Sequence, residues 1–347
     1  MTWGVGIVGA GMVTRAIHVP TLARMPESFR VKRIVDVDGD TAAVVAGAIG
    51  AVSGTEYSEI LDDPEIEVVV VGSPDRFHAD QAIAACRAGK RALLIEKPFA
   101  ENVEQATEVA AVAREHGVVV VIGAMHVFDP GWRFARERWR AGGDRVHTLR
   151  VQFSLLDGLT NIGGATEFAL PEPSDTPPPA PPASPPTLDA EVRQMRAITM
   201  GLFVHELPLI RELTGTLDEL DLAVSGPGGV VLAWRSTTGA RVQITTPPHD
   251  GMPIWSLDAW SEARSLHLDF PPSYVHAGPT RVRLADAGGA VESVTSADDG
   301  YLAEWRALAS ALDGDPSAVP AIESVLDDLA FTVELADAAA DLVRKVG

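Results

Sequence analysis

The sequence predicts an α/β domain built on a doubly wound parallel sheet, followed by an α+β domain with an open, mostly antiparallel sheet. Two patterns support this. From Trp3 to Met125, apolar runs of strand length alternate with amphipathic helical stretches, which gives a sheet covered on both faces. From His147 onward, short segments with period-two alternation are joined by turn-forming links such as PGG and TTG, as in a sheet with one covered face. The boundary falls near residue 125, so the expected domains are 1–125 and 126–347.

In the first domain the expected strands are Gly4 to Gly9, Arg30 to Asp36, Val68 to Gly72, Ala92 to Ile95 and Val118 to Ile122. Helices are expected near Val13 to Arg24, Asp40 to Ala48, Ala79 to Ala88 and Val103 to His116. A linking helix rich in Arg and Trp follows near Gly131 to Arg140. The second domain should hold strands at His147 to Leu155, Leu217 to Ser225, Val230 to Thr237, Arg241 to Thr246, Pro253 to Trp260, Ser265 to Phe270 and Arg281 to Ala285. Helices from Val192 to Leu213 and from Tyr301 to the end would cover that sheet. Between these elements, residues 170–187 hold PEPSDTPPPAPPASPP, which has no periodic apolar residues and is expected to be a loop. A passive excursion, a flap over the active site and an arm onto a neighbouring subunit all remain open for it.

The chain has 347 residues, 46% of them hydrophobic, enough to fill two cores. Lys and Arg total 28 against 48 Asp and Glu, a net charge of -20, which argues against nucleic acid and anionic membranes as partners. Cys86, the single cysteine, lies in QAIAACRAG and is expected to be a buried structural thiol. The longest apolar run, Val118 to Met125, is too short to span a bilayer, and the start lacks a basic leader, so a cytoplasmic location is expected. No metal site is expected.

The run GVGIVGAGMVT places a strand before Gly9 and Gly11 and an amphipathic segment after them. Gly9 permits a sharp turn, and Gly11 lets a pyrophosphate approach the helix start at Met12 and Val13. Thr14 replaces the third small residue of this Rossmann fingerprint. A second strand, VKRIVDVDGD, ends in Asp36, where a carboxylate can accept both ribose hydroxyls and repel a 2′-phosphate. NAD is therefore favoured over NADP, with Asp36 and Asp38 as plain turn residues the alternative. Ser73 and Pro74 end the strand VVVVG at the carboxyl edge, where ligands of doubly wound sheets lie.

In LLIEKPFAENVEQA, Glu96, Lys97 and Pro98 resemble the Glu-Lys-Pro signature of the Gfo/Idh/MocA oxidoreductases. HVPTL at His18 to Leu22, SPDRFHADQAIAACRAGK from Ser73 to Lys90, FDP at Phe128 to Pro130, and EWRALASAL and VLDDLAFTVELADAA near the end extend the likeness over nearly the whole chain. The resemblance implies alcohol–ketone interconversion on a sugar, amino sugar or cyclitol, and frequent assembly into dimers or tetramers. It implies a cofactor site of Gly9, Gly11, Met12, Val13, Asp36, Ser73, Pro74, His78, Glu96 and Lys97. It also implies a cis Lys97-Pro98 bond, with Lys97 polarising the substrate oxygen and His205, in AITMGLFVHELPLIREL, exchanging the proton. Lys97 and His205 would meet substrate; for His126, a substrate contact and a structural role stand equally.

Departures from the pattern bear on mechanism. The carboxylates usual four residues before and three after the histidine are replaced by Gly201 and Pro208, and Met125, His126 and Val127 form an atypical wall after the fifth strand. Pro208 also implies that the helix bends or begins close to His205. An NAD-dependent glycosidase of the same fold and a non-catalytic cofactor-binding regulatory protein stand as alternatives.

Overall fold

The computed structural model describes residues 2–154, 187–226, 229–247, 254–276, 278–289, 291–294 and 296–346, so all but the last residue of the Pro-rich stretch 170–187 lies outside the described residues. Two compact units are formed, one from residues 1–128 and 301–330, the other from 129–300 and 331–347.

The first unit contains a six-stranded sheet of order β3-β2-β1-β4-β5-β6. Its strands are β1 (Trp3–Val8), β2 (Phe29–Val35), β3 (Val52–Gly54), β4 (Val68–Val71), β5 (Ala92–Ile95) and β6 (Val119–Ile122), every pair parallel. All residues of β1, β4 and β5 are buried, which is why they read as unbroken apolar runs. β3 escapes sequence reading because it is three residues long and sits at the sheet edge with Val52 and Ser53 exposed. The chain order reverses between β1 and β4, which opens a crevice at their carboxyl ends.

Helices Gly39–Ile49 and Val103–His116 carry the expected punctuation. Asp38 and Asn102 cap their first turns, and Gly50 and Gly117 adopt left-handed conformations at their ends. The expected helix from Val13 to Arg24 is not uniform. Thr14–His18 is a π-helical turn in which the Val19 amide bonds to the Thr14 carbonyl, and a short α-helix, Val19–Ala23, follows. Pro20 supplies the reason, because it has no amide to donate to the turn before it. Helix Gly300–Leu312 adds its Trp305 to this unit's core, fully buried and edge-on to Phe29 at 4.9 Å and to His18 at 5.9 Å.

The second unit holds an eight-stranded sheet of order β14-β13-β12-β11-β7-β10-β9-β8. These strands are β7 (Thr148–Phe153), β8 (Leu217–Gly226), β9 (Gly229–Ser236), β10 (Arg241–Thr246), β11 (Trp255–Trp260), β12 (Arg264–Asp269), β13 (Arg281–Asp286) and β14 (Val291–Glu292). Only the β7–β10 pair among them is parallel. Alternate residues such as Val151, Trp234, Ile244 and Leu257 are buried, and Trp234 meets Phe331 of the last helix. Leu222, Val224 and Trp260 stay exposed.

Helix Pro130–Gly142 begins at Asp129, whose buried carboxylate accepts from the amides of Gly131, Trp132 and Thr280, so the FDP segment ties the helix start to the strand region near β13. The expected helix from Val192 to Leu213 is three pieces: Leu188–Gly201, a 3-10 turn Phe203–His205, and Leu207–Thr214. Pro208 sits in the first turn of the last piece, where its missing amide costs nothing. Among the described residues no helix is long and apolar enough to cross a membrane.

Replacing Trp305 with Ala should destabilise the protein by about 3 to 5 kcal/mol through lost burial and the cavity left behind. Denaturant unfolding measures this, and a loss below about 1 kcal/mol would show that the helix does not depend on that anchor.

Candidate active site

The glycine turn after β1 is shaped by close packing. Gly9 has φ +97, and a Cβ there would lie 2.3 Å from the Gly72 carbonyl oxygen, so no larger residue fits. Thr14, in place of the third small residue, donates its hydroxyl to the Gly9 carbonyl at 2.6 Å and is fully buried. Its polar group is thereby satisfied while the helix packs tightly on the turn. Gly11 differs: it is exposed, and a Cβ there would meet nothing within 4 Å. Beside it, Met12 and Val13 open the helix, whose first amides have no partners within the helix itself and favour an anion.

Asp36, half-buried just past β2, is clamped to this turn. One carboxylate oxygen accepts the Ala10 amide at 2.7 Å and the other accepts the Asp38 amide at 2.9 Å. Each oxygen keeps a further lone pair for a hydroxyl donor. Asp38 has a different duty, capping helix Gly39–Ile49; bonds from the Thr41 hydroxyl and amide hold its carboxyl below the usual range.

Past β4, Ser73 donates to Gln81 at 2.6 Å and Pro74 is exposed before the 3-10 turn Asp75–Phe77. His78 is buried, with Nδ1 2.8 Å from the Pro98 carbonyl and Nε2 2.6 Å from the Ser73 carbonyl. The imidazole thus staples the loop after β4 to the loop after β5.

β5 ends directly before Glu96, Lys97 and Pro98, and the Lys97-Pro98 bond is cis. Glu96 accepts from His18 Nε2 at 3.0 Å, an ion pair when the imidazole is charged, and His18 itself is buried. The π-helical turn Thr14–His18 brings His18 to this position. Burial pushes the Glu96 carboxyl up, but the His18 hydrogen bond and the positive charges of His18, Lys97 and His78 outweigh it and hold the group below the ordinary range. Gly123, just past β6, leaves room for this carboxylate, since a Cβ there would come within 2.8 Å of it. Lys97 is half-buried. Met125 and His126 turn inward, both buried, while Val127 is half-buried.

In the second unit, His205 closes the 3-10 turn and is buried at 7% exposure. Its ring meets the Trp255 indole edge-on at 5.7 Å, and Trp255 donates its Nε1 hydrogen to Glu206 at 2.6 Å. Gly201 offers no side chain at the position of the usual carboxylate. Glu206, fully buried, is the carboxylate that stands next to the histidine in the chain and holds its aromatic neighbour. Sequence reasoning did not single out Thr14's hydroxyl bond, the His18 pair or Glu206. Nothing in the pattern says which side chain meets which across the 78 residues from His18 to Glu96 or the 49 from Glu206 to Trp255.

Residues 3–124 match the oxidoreductase family with an NAD-binding Rossmann fold, known as Gfo/Idh/MocA. The matched residues are those of the six-stranded parallel sheet and its helices. Inositol 2-dehydrogenase 3 of Saccharopolyspora erythraea is 33% identical over 144 residues, 41% of this chain and 42% of that protein, so the likeness spans about two fifths of the relative. Among solved structures, levoglucosan dehydrogenase in complex with NADH and levoglucosan superposes with a TM-score of 0.74 at 18% identity, covering 98% of each chain. A 3-ketoreductase from Actinomadura kijaniata in complex with NADP and TDP-benzene gives 0.71 at 19% identity, covering 96% of this chain and 97% of that one. These two likenesses show a shared fold over nearly the whole length of the chain. The Glu-Lys-Pro signature of the family is the cis turn that follows β5.

Two outcomes follow from the packing. Gly9→Ala should lower the unfolding temperature by several degrees, whereas Gly11→Ala should leave it unchanged, as calorimetry would show. Equal loss in both variants would mean that the turn is not set by the Gly72 contact. The Glu96 carboxyl lies below its unfolded value, so its pairing stabilises the fold above the ordinary carboxyl range and is lost as pH falls through its folded value. The stability gap between the parent protein and Glu96→Gln should therefore narrow on acidification, and a gap independent of pH would contradict the pairing.

Proposed function

We propose that this protein is an NAD-dependent oxidoreductase that interconverts alcohol and ketone on a sugar, amino sugar or cyclitol. The observation that carries the proposal is the combination at one sheet edge of an open glycine turn, a clamped ribose acid and the cis Lys97 turn. These residues suit a dinucleotide. Gly11 leaves the approach to the helix start clear, Met12 and Val13 offer amides to the pyrophosphate, and Asp36 has oxygens oriented for the ribose hydroxyls. Ser73 and Pro74 flank the same crevice, and His78 and Glu96 hold its floor.

NAD is preferred because a fixed carboxylate at Asp36 would repel the extra phosphate of NADP. When bound, the nicotinamide supplies the hydride acceptor or donor. The chain's own residues do the rest. The Lys97 ammonium polarises the substrate oxygen and stabilises negative charge as it develops there. His205 takes or returns the hydroxyl proton, and the edge of Trp255, held by Glu206, fixes the imidazole plane. His126, being buried, serves the substrate wall through its shape more than as a solvent-facing contact. Support for the substrate class comes from relatives named for inositol and levoglucosan.

The outer sheet face with Leu222, Val224 and Trp260 supports association into a homo-oligomer, and the acidic charge supports a protein that leaves nucleic acid alone. A cytoplasmic location belongs to the same proposal.

Asp36→Ala should weaken NAD binding by about 1 to 3 kcal/mol, through loss of charge-assisted hydrogen bonds. Isothermal calorimetry decides this, and unchanged affinity removes Asp36 from the site. Sugars, amino sugars and cyclitols offered with NAD should include one that gives net NADH absorbance, abolished by Lys97→Ala. Product formation without net NADH would replace the proposal with the glycosidase alternative.

A further inference from the structure

Behind Glu96 stands a second buried acid that the proposed chemistry does not use. Glu304, on helix Gly300–Leu312, is 2% exposed and belongs to the same compact unit as Glu96. It lies near enough to Glu96 for two negative charges to repel. One of its oxygens accepts the Ala124 amide, and its Oε1 is buried with no hydrogen-bond partner. Ala124 directly follows Gly123, the residue whose missing side chain makes room for Glu96, so both carboxyl groups converge on the loop after β6. Next along the helix, Trp305 fixes this segment by its edge contact with His18, the partner of Glu96.

The charges are unevenly shared. Facing Glu96 are His18, Lys97 and His78; the charged neighbour of Glu304 is Glu96 itself. Two buried carboxyl groups with one such set of cations cannot both ionise cheaply, because each added charge loses its water and meets a like charge. The proton therefore belongs on Glu304, the member with a single amide and an otherwise unpartnered oxygen. A neutral carboxyl also lessens the cost of burying Oε1 without a partner, because an un-ionised group loses far less hydration than an anion.

We propose that Glu304 is a positioning residue for the Lys97 turn: as a neutral carboxylic acid it shares its proton with Glu96, so that Glu96 keeps one orientation toward His18 and Lys97. Burial first, and the Glu96 charge second, push the Glu304 carboxyl well above the ordinary range against the smaller pull of the Ala124 amide. A raised acid stabilises the fold most below its unfolded value, and that contribution falls as pH climbs toward the folded value. Ionising Glu304 would place a second anion beside Glu96 and draw its cations away from the turn. The consequence for turnover rests on the oxidoreductase proposal above; the protonation of Glu304 does not.

Infrared spectroscopy of the full chain at neutral pH tests the protonation with neither cofactor nor substrate. The parent protein should show the carbonyl band of an un-ionised carboxyl group, absent in Glu304→Gln, and identical spectra would overturn the proposal. Glu96→Gln gives an independent check should the first variant fold poorly. Without the neighbouring anion, the band should disappear at lower pH than in the parent, and an unchanged midpoint would count against proton sharing. For positioning, NAD affinity of the parent should fall as Glu304 ionises at high pH, while Glu304→Gln, which mimics the neutral acid, should bind equally across that range. Parallel profiles would overturn the positioning role, whereas absence of NAD binding in both proteins together with the infrared band would fault the cofactor proposal alone.

Discussion

The approach of the Gly9 turn to the Gly72 carbonyl sets the spacing from which the rest of the first unit follows. With 2.3 Å left for a hypothetical Cβ, β1 and β4 bring their carboxyl ends together only because neither residue carries a side chain. That closeness lets Thr14 reach back to the Gly9 carbonyl, and the π-helical turn that Pro20 closes then brings His18 to Glu96. One steric constraint at the switch point thereby reaches the turn that carries Lys97, two strands away in the sheet.

Electrostatics at this edge work by compensation more than by attraction. The surface is strongly acidic as a whole, yet the interior places His18, His78 and Lys97 around one buried carboxylate. Removing all of these cations would leave an unpaired charge largely out of water, which costs far more than a surface pair contributes. The same reasoning explains why Glu304 can be tolerated only as a neutral group, and why the helix that bears it must be firmly anchored through Trp305. In the second unit the arrangement is similar in kind: a buried acid, Glu206, is held by an indole hydrogen, and the indole edge rests on His205.

Much of the fold was legible because burial leaves simple traces. β1, β4 and β5 are covered on both faces and read as continuous apolar runs, and the break beside His205 was foreseeable from Pro208, which has no amide to give. β3 was not legible, since three edge residues, two of them exposed, have no periodicity to detect. The candidate site divides in the same way. Gly9, Gly11 and Asp36 announce themselves through local spacing around strand ends, and the resemblance pointed to Lys97 and His205. Glu206 and Glu304 do not, because their roles depend on contacts made at long range, such as that of Glu304 with residues near 96 and 124, and the local bond of Thr14 to Gly9 departs from the small residue that the fingerprint calls for. His78 illustrates a middle case: its motif marked it, but only the structure shows both ring nitrogens engaged by backbone carbonyls of separate loops.

A crystal structure of the protein grown with NAD addresses the central claim most directly. The account predicts pyrophosphate oxygens at the amides of Gly11 to Val13, ribose hydroxyls on Asp36, and the nicotinamide beside the Lys97 ammonium. A dinucleotide seated elsewhere on the chain, or a turn whose amides stay turned toward the protein with saturating NAD present, would contradict it.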